Sequence, residues 1–103
     1  MLEQIDELLR APQSGAGAPS LARLEDALTE GYAQALALEA ERRRLERRLG
    51  ELARSVNGDG SEAAGELAEI GSRMTTADEE LARLRERLGT LHDRARSARL
   101  TAS

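Results

Sequence analysis

The chain has 103 residues, a net charge of −4 and a 40% hydrophobic fraction made mostly of Leu and Ala. No Cys, Trp or Phe is present and His92 and Tyr32 are each the single residue of their kind, which excludes a disulfide framework, thiol chemistry and a Cys/His metal cluster. This is the composition of long helices and not of a sheet or sandwich, so the expected fold class is all-α.

Residues 1–10 place Leu2, Ile5, Leu8 and Leu9 on one helical face, with Glu3, Asp6, Glu7 and Arg10 elsewhere. The pattern predicts a short amphipathic helix, and a secretory signal would need basic residues followed by an apolar run at this point. A soluble, cytoplasmic protein without a membrane span is expected. An isolated helix of fewer than about 12 residues is marginal in water, so this one must dock, either on its own chain or on a second copy. Residues 11–19, APQSGAGAP, form a Pro/Gly/Ala linker.

Ser20, directly after Pro19, is an N-cap for a helix expected over about 20–56. Along it Leu21, Leu24, Leu28, Gly31, Ala35, Leu38, Arg42, Leu45, Leu49, Leu52 and Val56 repeat in steps of three and four, and only Gly31 and Arg42 are out of character. Asn57, Gly58, Asp59 and Gly60 predict a turn. Ser61 then caps a helix over about 61–100, whose seam runs from Ala63 and Leu67 through Leu84 and Leu88 to Ala98. Thr76 and Glu79 have the spacing of a capping box, a second start signal that would go with a kink or break near Gly71 to Thr75.

A four-residue turn between two long helices predicts an antiparallel coiled-coil helical hairpin over 20–101. Seam partners then share one sum of residue numbers, 119, from Val56 with Ala63 to Leu21 with Ala98, and no layer pairs two small residues. Arg42, the only charge on either seam, faces Ala77, with its guanidinium free to reach solvent or Glu46. Residues 1–30 carry six acids against Arg10 and Arg23, while residues 81–103 carry six arginines against Glu86 and Asp93. An antiparallel pair lays these blocks side by side and cancels them internally.

Two strands bury such a seam only in part, and Gly31, Gly50, Gly65, Gly71 and Gly89 weaken the helices further. More burial is needed. Tyr32 and Leu36, one turn apart and off the seam, widen the apolar stripe together with Ala33, Ala37 and Ala40. The expectation is that this patch receives Leu2, Ile5 and Leu9 of the N-terminal helix, or the counterpart in a second chain, giving a homodimer that forms a helical bundle.

Little in the sequence points to chemistry. His92 lies on the flank of the last helix near Glu25, without the second fixed group in a dry pocket that a general base requires. Asp78, Glu79 and Glu80 come without the Glu-x-x-His motif of di-metal bundles and read as a first-turn charge cluster or a solvated face. The run ERRRLERR at 41–48 is interrupted by acids and has no interleaved aromatic, so nucleic acid is not an expected partner. No cofactor is expected.

Gly58-Asp59-Gly60-Ser61-Glu62 resembles the Gly-Asp-x-Ser-Glu tip of the bacterial transcript-cleavage factors. That resemblance implies an acidic hairpin tip, Asp59 and Glu62, holding a magnesium ion in the secondary channel of RNA polymerase. It covers five residues, and the globular polymerase-binding domain of that family has no counterpart here. Small secreted hairpins of the Trp-x-Gly type share the length and topology, but the Trp is missing. The favoured expectation is therefore a non-enzymatic interaction or scaffolding module that self-associates and binds an unidentified protein partner. The alternatives are the polymerase-channel regulator and a chaperone-like hairpin for a secreted or flagellar client.

Overall fold

The structure is a computed structural model that describes residues 1–55 and 60–102. Three helices, α1 (Leu2–Arg10), α2 (Leu21–Ser55) and α3 (Ser61–Ala102), make up an all-helical chain in which the two long helices pack together. Val56, expected to end the seam of α2, and Asn57, Gly58 and Asp59 of the turn expected over 57–60 lie outside the described residues.

Each helix starts where backbone chemistry allows it. The amide of Arg23 donates to Ser20 Oγ at 3.2 Å, so Ser20 is the N-cap that the sequence indicates. At the other long helix, the amide of Ala64 donates to the Gly60 carbonyl at 2.8 Å and closes the first turn of α3. No break follows at the second start signal. α3 is continuous from Ser61 to Ala102, and the Thr75 hydroxyl donates to the Gly71 carbonyl at 3.1 Å, the i to i−4 bond of a helix interior. The capping-box spacing of Thr76 and Glu79 is therefore unused.

Two compact units divide the chain: residues 1–36 with α3 from Ala82 on, and Ala37–Leu81. Within the first, α2 and α3 run antiparallel. Arg99 Nε lies 3.3 Å from Glu25 Oε1, while Gly31 lies against Leu88, so residue numbers fall along α3 as they rise along α2. Leu24, Leu28, Leu84, Leu88, Leu91 and Ala95 form the buried seam, joined by Ile5 and Leu8 from α1.

The linker that leads from α1 into α2 turns through left-handed backbone at Gly15 (φ +80°) and Gly17 (φ +87°), and Ala18 N donates to Gly15 O at 3.3 Å. Side chains with a β-carbon rarely adopt such φ values.

In the second unit the helices again run antiparallel, because Arg42 pairs with Asp78 and Arg48 with Glu66. Leu45, Leu52 and Ile70 are buried there, with Leu49, Leu67 and Met74 packed against them. These six residues are three consecutive layers of the 119 register. Every buried hydrophobic residue of α2 and α3 among those described lies on the four-three seam, and the remaining described seam positions are half-buried or, at Gly31, buried without a side chain.

Candidate functional site

α1 docks within its own chain. Ile5 is 0% exposed and Leu8 is buried, while Leu2 and Leu9 are half-buried. It docks beside a position where α2 has no side chain: a β-carbon on Gly31 would run into Leu88 Cδ2 of α3 and stand in ordinary contact, at 3.5 Å, with Ile5 Cδ1. Two arginines of α3 then fix the helix. Arg87 Nε donates to Asp6 Oδ1 at 2.5 Å, and Arg94 Nη1 donates to the carbonyls of Leu8 (3.3 Å) and Ala11 (3.4 Å). The Ala11 amide already donates to the Glu7 and Leu8 carbonyls at this helix end, and Arg94 adds a donor from another helix to the carbonyls of Leu8 and of the C-cap Ala11.

Tyr32 and Leu36 are elsewhere on α2. Tyr32 follows Gly31 and is turned about 100° round the helix from it. It stays 48% exposed and Leu36 64% exposed, so α1 leaves both uncovered. Two large apolar side chains one turn apart thus face solvent on a helix whose seam is buried. Of the tip residues, Glu62 is exposed in the first turn of α3, and Asp59 lies outside the described residues.

His92 is exposed, and its Nδ1 lies 3.8 Å from Asp93 Oδ1. Glu25, expected beside it, is bound by Arg99, whose longer side chain reaches across from the last turns of α3. Arg42 reaches Glu46, as expected, and also Asp78. Arg48 lies 2.9 Å from Glu66 and 3.5 Å from Glu51. These contacts, first of all the hydrogen bond to Glu66, push the pKa of its guanidinium above its ordinary value.

Sequence reasoning missed Arg87 and Arg94. The available signal was Gly31, a seam position with no side chain, which marks where a third element can approach. Among the described residues, no helix is long and apolar enough to cross a membrane, and no group of three His, Cys, Asp or Glu is placed to hold a metal ion. Comparison with protein-family models, with curated proteins and with solved structures finds no match to this chain.

Proposed function

We propose that this chain is a non-enzymatic coiled-coil hairpin module that associates with a second copy of itself and binds another protein. The observation that supports this reading is the exposed pair Tyr32 and Leu36 on α2. Fully burying a large apolar side chain is worth about 1.5–3 kcal/mol, of which the exposed part of each remains to be gained, and Tyr is enriched among the residues that anchor interfaces. A stable dimer buries about 1,200–2,000 Å² in total, so the pair would be the centre of a larger helical contact and not the whole of it.

Sedimentation equilibrium of the full chain at micromolar concentration tests the proposal. The expected result is a dimer for the natural sequence, and a monomer of unchanged helical circular dichroism for the double substitution Tyr32→Ser, Leu36→Glu. A natural chain that sediments as a monomer, or a double variant that still dimerises, removes the reading.

A further inference from the structure

A cavity of about 470 Å³ opens in the first unit where the linker passes over α2 and α3. Buried Leu8 and Leu24 and half-buried Arg94 line it, with Pro12 and Pro19 from the linker and Ser97 from α3. Its volume falls within the ~300–1,000 Å³ of small-molecule sites, and its apolar residues share the wall with polar ones, Gln13, Ser14 and Thr101 besides Arg94 and Ser97.

The charge in this wall is what gives the cavity a chemistry. Arg87 and Arg94 stand one heptad apart on α3, and Asp6 neutralises the first. Among the described residues Arg94 has no carboxylate partner. Its Nη1 is committed to two neutral carbonyls, and a guanidinium has five N–H donors in a planar fork that matches a carboxylate. The same two bonds hold the side chain at the cavity wall. An uncompensated cation beside an apolar hollow selects an anion that carries its own apolar body.

We infer that this cavity binds a small amphiphilic carboxylate, with the carboxylate on Arg94 and the apolar part against Leu8, Leu24 and the two prolines. The site is separate from the Tyr32 and Leu36 surface. It stands or falls independently of the proposed self-association.

Titration of the ¹⁵N-labelled full chain with octanoate, followed in amide correlation spectra, tests the inference. Saturable shifts are expected at Gly15, Arg94, Ser97 and Thr101 below about 10 mM octanoate. Octanol, which has the chain without the charge, should bind at least about tenfold more weakly, and Arg94→Gln should weaken octanoate by a similar factor. Because Arg94→Gln also removes the cap on α1, Ser97→Leu supplies a second variant, which fills the cavity and leaves the cap intact. It should abolish the shifts while the α1 amides keep their positions.

N-acetyl-leucine separates the two sources of such a ligand. Tighter binding than octanoate points to the apolar C-terminus of a peptide, and weaker binding to a straight-chain acid. The inference is overturned if no saturable shift occurs, if octanol binds as well as octanoate, or if Ser97→Leu leaves binding unchanged.

Discussion

Gly31 of α2 lies against Leu88 of α3 with no room for a side chain between them. A β-carbon at 31 would run into Leu88 Cδ2, come within 3.4 Å of its Cγ, and stand 3.5 Å from Ile5 Cδ1 on α1. Leu88, the side chain that would have to yield, is only 3% exposed and has little free space to move into. The absent side chain lets α2 and α3 approach closely at this layer, with Ile5 of α1 in contact range.

Glycine in a helix costs about 1 kcal/mol relative to alanine, which alone would make Gly→Ala stabilising everywhere. At Gly31 an overpacking cost of about 1–3 kcal/mol opposes that gain. Gly31→Ala should therefore leave stability unchanged or lower it by up to about 2 kcal/mol. By contrast, a β-carbon added at Gly71 or Gly89 would meet nothing within 4 Å, so Gly71→Ala and Gly89→Ala should each gain about 0.5–1 kcal/mol. Urea midpoints of the three variants check this, and a gain at Gly31 equal to that at Gly89 would contradict the close approach.

α1 is held by two buried side chains, Ile5 and Leu8, one ion pair about a third exposed and two carbonyl contacts. Truncating a buried Ile costs about 2–5 kcal/mol in a core that cannot relax, but here the helix can leave instead, which limits the loss to the free energy of docking. Ile5→Ala should therefore release α1 without unfolding the rest. Hydrogen exchange would show this as loss of protection in α1 with protection retained in Leu45, Leu52 and Ile70. Asp6→Asn should act in the same direction but more weakly, by about 1 kcal/mol or less, because Asp6 and Arg87 are both about a third exposed.

What the sequence discloses depends on how local each signal is. The seam was legible because a four-three period is a property of one helix at a time, and every buried residue described in α2 and α3 obeys it. The amphipathic face of α1 was legible for the same reason. Its docking position was not, since the contact from Asp6 to Arg87 joins residues 81 apart in sequence and depends on an arginine beside the seam, where periodicity is silent. Arg42 shows both cases. Its pairing with Glu46, one turn on in the same helix, could be read directly, whereas Asp78 required the diagonal geometry of two helices. The reach of Arg99 to Glu25 likewise follows from side-chain length and not from register.

Arg48 gives a prediction in pH and salt. Its pKa is raised by Glu66 first and Glu51 second, and a group whose folded pKa lies above its unfolded value contributes stability that is fully present below the unfolded pKa. That contribution is lost only as pH rises through the folded value, beyond the ordinary range for arginine. Titration of Arg48 itself should therefore leave stability flat between neutral pH and pH ~10. Salt should act where pH does not, since the side chains of Arg48 and Glu66 are each about half exposed and the Debye length shrinks to about 3 Å at 1 M. The small destabilisation by Arg48→Gln should shrink when melting is repeated in about 1 M NaCl. An effect that persists undiminished would mean that the side chain acts through packing.

Arg42 holds the one charged position on the seam, about a third exposed, with its guanidinium between Glu46 and Asp78. Keeping a charge at a half-buried seam position costs desolvation that a leucine does not incur, and replacing such a group by an apolar side chain of similar volume is commonly neutral or stabilising by about 1–4 kcal/mol. Arg42→Leu should therefore raise the urea midpoint by the equivalent of about 1 kcal/mol, near the low end because the site is partly wet. Asp78→Ala, which leaves Arg42 with Glu46, should cost no more than about 1 kcal/mol. The gain at Arg42 has a second consequence. A polar residue at a seam position restricts which registers and assemblies the helices adopt, so an uninterrupted apolar seam should tolerate several. Sedimentation velocity of Arg42→Leu should show a broader distribution of species than the natural chain at equal concentration. A variant that is more stable yet sediments as the same single species would show that Arg42 has no part in setting how these helices pair.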